Sequence, residues 1–402
     1  MKRWNFKQML EVGRQLFVKI HKEKRFANHN HEIHYMAREI NDWLPTGIQS
    51  MIEGSYSPRH LKRIYFEDET VDHVHVSDRI FQHVLLKQLK STFPHTVNPN
   101  CLHIYGPNGV KQATQRIRQV LKDDKPNFVI RADIKSFYRS IPHYKLIQDI
   151  KKTYDDPNMH LMLERVITNG IETPKGYRNA IQGVALRGPL SQFFSAIYLK
   201  PLDDAFNAMD VTYIRFQDDI IILCNTKRQL NRCKRRMMEV LRERRLTLSR
   251  KKSRIGCIKK GFHFLGINYL GTQPRDNTKV AHSNDDAIMH SAVADNLTSQ
   301  GGGSIKIEHQ QNESVRIAPH PRTLRKAREQ VKMMVATGFS TREIRTYLVK
   351  WALWWRVATS ESWQIHDLLK QYILSCWDST AKNYAVTILI ESTYALPLMQ
   401  AV

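Results

Sequence analysis

Apolar side chains recur at mixed three- and four-residue spacing through residues 1–50, with Phe6, Leu10, Phe17 and Ile20 on the repeating face. That period predicts amphipathic helix, closing near Pro45-Thr46-Gly47, where proline and glycine interrupt it. Over 51–125 the pattern shortens. Pro58, the Tyr65-Phe66 pair and alternation around Val71, Val74 and Val76 predict short strands, and a helix from Asp78 to Leu89 follows. Residues 126–270 alternate strand-like apolar runs, Phe128-Val129-Ile130 and Ile220-Ile221-Ile222-Leu223, with helical stretches, which places the chain in the α+β or α/β class. Residues 271–318 turn polar around Gly301-Gly302-Gly303 and read as an insertion or linker. From 319 to 402 the helical period returns, rich in Arg, Lys and Trp.

A length of 402 residues with 42% hydrophobic content supports several subdomains on large shared cores and excludes a small disulfide-stapled module. No apolar run approaches the ~18 residues of a membrane span. The start, Met1-Lys2-Arg3-Trp4-Asn5-Phe6, lacks the apolar core of a signal peptide, and five scattered cysteines fit a reducing, cytoplasmic location. Charge says more: 62 Lys and Arg against 38 Asp and Glu give +24, which calls for a polyanionic partner, nucleic acid ahead of any membrane surface. Fifteen of the basic residues lie between Lys227 and Lys260, opposed by Glu239 and Glu243, so that window alone carries +13. His29, His31 and His34 have neither the spacing nor the cysteine partners of a zinc site and read as surface or core histidines.

Candidate chemistry sits on three acids. Phe128-Val-Ile-Arg-Ala-Asp133 ends an apolar strand on an aspartate, and Tyr213-Ile-Arg-Phe216-Gln217-Asp218-Asp219-Ile-Ile-Ile-Leu223 sets two adjacent aspartates in a tight turn between apolar runs. Carboxylates enclosed that way repel one another and lose solvation unless cations offset the charge. Three acids at two strand ends suit two Mg²⁺ ions, or Mn²⁺ in their place, about 3.5–4 Å apart, the arrangement that activates a hydroxyl and stabilises a leaving pyrophosphate.

These segments resemble bacterial reverse transcriptases, specifically the branch of group II intron-like and defence-associated enzymes. Tyr213 to Leu223 is similar to the family's Y-x-R-Y/F-x-D-D signature and Arg131 to Tyr138 to its first catalytic motif. Leu246 to Ile255, followed by Gly261-Phe-His-Phe-Leu-Gly266, resembles the later pair L-x-L-x-x-x-K-S/T-x-I and G-F-x-F-L-G. The resemblance spans about 55–270, and Ile344 to Arg356 is similar to the helical thumb of intron-type enzymes.

The resemblance implies an α+β right-hand polymerase: a helical N-terminal extension (1–50), fingers (51–125), palm (126–270), a flexible insertion or linker (271–318) and a helical thumb or C-terminal domain (319–402). It makes Asp133, Asp218 and Asp219 the metal ligands. Tyr138 becomes the steric gate that rejects a 2′-hydroxyl, a buried core aromatic being the alternative reading. Lys252 becomes a proton donor to pyrophosphate or, alternatively, a phosphate contact. Arg63 and Lys62 are the transferable part of the triphosphate grip, because Glu67-Asp68-Glu69, His73 and His75 replace the basic turn of the relatives. The second catalytic motif departs from pattern too: Gly188, with Arg187, Pro189 and Ser191, is favoured for the nucleotide pocket over Gln182-Gly183. Gln217 is a candidate for bonding the primer terminus or a base edge. Arg235, Arg236, Arg250 and Lys251 in the basic window, and Arg325 and Arg328 in the thumb, are expected to track phosphates. Trp351, Trp354 and Trp355, at helical spacing, are core residues before they are stacking surfaces.

The expected reaction is cDNA synthesis from deoxynucleotides on an RNA template, in antiviral defence with a dedicated non-coding RNA, a protein partner or a homo-oligomer. A retroelement enzyme, template-independent DNA synthesis and a non-catalytic RNA-binding scaffold are the rival readings.

Overall fold

The computed structural model describes residues 5–67, 70–270 and 316–351, apart from Thr341, Arg345 and Val349. Three helices open the chain: α1 (Phe6–Glu23), α2 (Glu32–Arg38) and α3 (Ile40–Ile52). The hairpin β1 (Leu61–Tyr65) and β2 (Thr70–His73) leads into α4 (Val76–Lys90), the short α5 (Phe93–Thr96) and α6 (Pro107–Asp123). The N-terminal extension is no separate body. Met9, Phe17, Leu44 and Ile48 join Phe81 and Val84 of α4 in one core, with Trp43 edge-on to Phe81 at 5.8 Å.

Next come β3 (Phe128–Asp133), α7 (Phe137–Ser140), α8 (His143–Thr153), α9 (Pro157–Ile167), β4 (Ile171–Thr173) and β5 (Gly176–Arg178). They are followed by α10 (Ser191–Tyr198), α11 (Lys200–Asn207), β6 (Thr212–Phe216), β7 (Asp219–Cys224), α12 (Lys227–Glu243) and β8 (Arg254–Cys257). The central sheet runs β6-β7-β3-β8, antiparallel throughout. Its middle strands are apolar on both sides because both sides are covered. Ile220, Ile222 and Cys224 share a core with Leu230, Cys233 and Met237 of α12, while Ile221 and Leu223 share another with Ala113 and Ile117 of α6. Alternate residues of a strand face opposite ways, so the sheet has an α12 face and an α6 face.

A second sheet, β2-β1-β4-β5, crosses the boundary expected at 125: Leu61 and Lys62 pair in parallel with Ile171 and Glu172. The third sheet joins β9 (Phe262–Phe264), β10 (Ile267–Leu270) and β11 (Arg316–Pro319). The expected division at 318 therefore falls inside β11, which is paired along its length with β10. Helix α13 (Pro321–Ala336) follows and packs Val331 and Met334 into the α6-side core. The glycine-rich insertion, Trp354, Trp355 and the chain beyond Trp351 lie outside the described residues. No helix of the described residues is long and apolar enough to cross a membrane.

Candidate active site

Register brings the acids together. Asp133, last residue of β3, stands directly opposite Asp219, first residue of β7, so both project on the α6 face, and Asp218 occupies the turn before β7. Facing like charges are destabilising. Burial, then Asp218, then Asp133 push the Asp219 carboxyl up to about 6, against partial relief from Arg131 and Lys252; burial and Asp133 also raise Asp218. Lys252 reaches Asp133 Oδ2 at 3.3 Å with its own side chain 66% exposed, so the ammonium stays open to a ligand. The Ser253 hydroxyl accepts from the Asp133 N–H at 3.2 Å and Ser249 N–H donates to the Asp133 carbonyl at 2.8 Å, which fixes the strand end.

Among the described residues no three His, Cys, Asp or Glu side chains close into a ready-made metal cage. The donor set still fits Mg²⁺. That ion takes hard oxygen ligands, keeps several waters, and is ordinarily held by one or two carboxylates together with substrate phosphates. Burial, joined by mutual repulsion, lifts two of the three carboxyls, which is the electrostatic signature of a site awaiting a cation.

The turn bearing Asp218 is clamped from behind by residues the sequence reading did not single out. Gln217 has φ +56, a conformation that costs a non-glycine residue energy. Its N–H donates to His103 Nδ1 at 3.0 Å and its carbonyl accepts from Arg215 Nη1 at 3.1 Å. The first bond makes Nδ1 an acceptor, so His103 is the Nε2–H tautomer, and Nε2 donates to the Gln192 carbonyl in α10 at 3.0 Å. Burial and Arg215 push its pKa down to about 3. Arg215, wholly buried, grips Asp203 of α11 through two bonds of 2.7 and 2.5 Å, and Tyr213 donates to the same carboxylate at 2.6 Å. A charged residue inside an apolar strand demands such a partner. Arg215 within Tyr213-Ile-Arg-Phe216 was therefore a legible signal for a buried ion pair, though not for its partner.

On the nucleotide side, Tyr138 is partly buried, and burial together with neighbouring Asp218 raises its pKa. Its carbonyl accepts from Val184 N–H at 2.8 Å, and Gly183 N–H donates to the Ile141 carbonyl at 2.8 Å. Gly183 takes φ +97, so the Gln182-Gly183 loop is the one lying along the Tyr138 segment. Gly188 instead shapes the turn entering α10, its carbonyl accepting from both the N–H (3.1 Å) and the hydroxyl (2.7 Å) of Ser191. Arg187 is exposed at φ +66. Lys62 is exposed, whereas Arg63 is held by Asp72 across the β1–β2 hairpin through bonds of 2.7 and 3.1 Å. A free triphosphate grip at Arg63 is thus not preformed; Asp72 must yield before a phosphate can take the guanidinium.

The basic residues divide between two surfaces. Arg250 and Lys251 are exposed in the turn beside Asp133, and Arg325 and Arg328 ride on α13, which packs into the core under the acid-bearing face. Arg131, two residues before Asp133 on that face, bonds His263 of β9, whose pKa burial and Arg131 lower to about 4. Arg235 and Arg236 are exposed on α12, behind the sheet.

Residues 71–269 match the family described as "Reverse transcriptase (RNA-dependent DNA polymerase)". Protein YkfC of Escherichia coli (strain K12) is 21% identical over 268 residues, covering 56% of this chain and 70% of YkfC. Among solved structures, apo telomerase from Candida tropicalis is similar over 47% of this chain and 43% of that one, at 16% identity and TM-score 0.38. Telomerase from Candida albicans, in complex with a fragment of telomeric RNA, is similar over 79% of this chain and 56% of that one, at 12% identity and TM-score 0.41. The chain thus spans about half the length of the two telomerases. The mixed architecture is that of a right-hand α+β polymerase, and the described acids fall inside the matched segment.

Proposed function

We propose, on the premise that residues 71–269 are a reverse transcriptase domain, that this chain is an RNA-directed DNA polymerase extending a primer with deoxynucleotides on an RNA template. The observation that carries the reading is the pairing of Asp133 with Asp219 across β3 and β7, with Asp218 in the adjoining turn. Two divalent ions held by these three residues would stabilise charge on the attacking 3′-oxygen and on the departing pyrophosphate. The chain's own side chains do the rest. Lys252, exposed beside Asp133, is placed to give a proton and positive charge to the pyrophosphate. Tyr138, partly buried against the core and close enough to feel the Asp218 charge, would present a wall at the sugar's 2′ position, which favours deoxynucleotides. The Gln182-Gly183 loop along the Tyr138 segment, with exposed Arg187 ahead of α10, would border the nucleotide, while Lys62 and, once freed from Asp72, Arg63 would approach from the β1–β2 hairpin. Positioning and electrostatics supply most of the acceleration in phosphoryl transfer of this kind.

Extension of a DNA primer on an RNA template with Mg²⁺ and deoxynucleotides tests the reading: the wild type makes product and Asp218→Ala does not. Equal signal from both excludes the enzyme and leaves the scaffold reading; product made without template favours template-independent synthesis. The finer role, antiviral defence with a dedicated non-coding RNA or partner in the cytoplasm, is supported by the resemblance of the motifs to defence-associated enzymes. Phage plating on cells carrying wild type or Asp218→Ala tests it. Equal plaque numbers would reject the defence role without touching the activity.

A further inference from the structure

Helix α12 carries seven basic residues, and every one of them is exposed. Arg228, Arg232, Arg235 and Arg242 follow one another at four, three and seven residues, which sets them in a single line along the helix. At 1.5 Å per residue that line is roughly 21 Å long. Beside it, Ala205, Ala208 and Met209 floor a groove of about 360 Å³ walled by Arg232, Arg235 and Arg236. Glu239 also borders it and pairs with Arg236 at 3.5 Å in an exposed contact that a phosphate can displace. Met238 stands 43% exposed on the same helix.

Position decides what this surface can hold. The buried side of α12, Leu230, Cys233 and Met237, packs on the sheet face formed by Ile220, Ile222 and Cys224. Asp133 and Asp219 project from the opposite face, with Ile221 and Leu223. Nucleic acid lying over the acids is separated from the arginine line by the thickness of the sheet.

We propose that the α11–α12 surface is a second nucleic-acid site, which docks the phosphate backbone of an RNA segment other than the one being copied. Arginine dominates the line, and its planar fork binds phosphate bidentately and stacks on bases. The apolar floor offers a ribose or base a dry contact. An acidic protein would satisfy the charge but has no need of that floor. The proposal rests on the polymerase reading only in taking the acid-bearing face as the template path.

The test uses the full chain and Arg228→Gln/Arg232→Gln/Arg242→Gln, with circular dichroism to confirm folding. Binding of a blunt RNA hairpin is titrated against salt, and extension of a short pre-annealed RNA template and DNA primer is measured in parallel. The expected result is a salt slope for the hairpin smaller by about 3 and affinity weakened on the order of tenfold or more, with kcat and KM for extension within about twofold of wild type. An unchanged slope overturns the proposal. So does a KM for the primer duplex that rises with the hairpin Kd, which would place the line in the template path. Displacement of the hairpin by poly-glutamate at equal charge concentration would assign the surface to an acidic protein, and a DNA hairpin bound as tightly as the RNA one would remove the RNA preference. If the wild type extends nothing, the polymerase reading fails while the hairpin titration still judges this surface.

Discussion

Replacing Asp219 by asparagine keeps the shape of the side chain and removes one of three crowded charges. The Asp219 carboxyl titrates at about 6 in the fold against an ordinary 3.8, because burial and the two neighbouring aspartates disfavour the anion. Against the ordinary carboxylate this amounts to about 3 kcal/mol of differential interaction. Its sign follows from linkage. Below about 3.8 the carboxyl is protonated in folded and unfolded chains alike and costs nothing; as pH rises through about 6 it ionises in the fold as well, and the full penalty is borne. In the absence of divalent ions, Asp219→Asn should therefore be more stable than wild type by up to about 3 kcal/mol at pH 7.5, with the gap closing toward pH 4. Urea midpoints at three pH values, in chelator, measure it. Adding Mg²⁺ at pH 7.5 should stabilise the wild type, by about 2.7 kcal/mol at a hundredfold excess over Kd, and the variant much less. A gap that is flat with pH, or an equal response of both proteins to Mg²⁺, would refute the picture of repelling carboxylates awaiting a cation.

Three further outcomes follow from the same geometry. Arg215→Met leaves the Asp203 carboxylate buried without its partner and should cost about 3–5 kcal/mol, read as a lowered unfolding midpoint or loss of soluble protein. His103→Leu orphans the Gln217 N–H and the Gln192 carbonyl, at about 1–3 kcal/mol each. Because the clamp orients Asp218, it should also lower kcat and the Mn²⁺ affinity seen by electron paramagnetic resonance, with little change in nucleotide KM. Since His103 is held neutral down to about 3, wild-type stability relative to this variant should fall as pH drops below 6.5, where the unfolded chain takes up the proton first. Gly109→Ala would bring a methyl within 2.1 Å of the Leu102 carbonyl oxygen, a backbone atom that cannot swing aside. It should destabilise by at least about 1–3 kcal/mol and disturb the neighbouring His103, detectable as reduced extension.

Much of the site could be read in advance because its signals are local. Ile220 to Leu223 is a continuous aliphatic run, which is what a strand covered on both faces requires, and the aspartate pair at its head marked the turn, although only Asp218 lies in it while Asp219 opens β7. Even the shared face was implicit, since Asp219 has the parity of Ile221 and Leu223. What could not be read depends on how elements dock on one another, even between near neighbours in the chain. Nothing in the sequence paired Arg63 with Asp72, nine residues on across a hairpin, or Arg215 with Asp203, twelve residues back on α11. Which helix covers which face is likewise a tertiary fact. The basic window from Lys227 to Lys260 read as one surface along the chain, yet α12 carries seven of its fifteen basic residues behind the sheet, while Arg250 and Lys251 turn back beside Asp133.

The parallel pairing of β1 with β4 sets a timetable for biosynthesis. Leu61 must wait for Ile171, some 110 residues later, before its edge is capped. At about 5–20 residues per second on a ribosome, that is ~5–20 s during which the hairpin's open backbone is available to wrong partners. Its exposed Lys62, and the charge of its neighbours, give the nascent edge a means of discouraging aggregation until the later strand emerges.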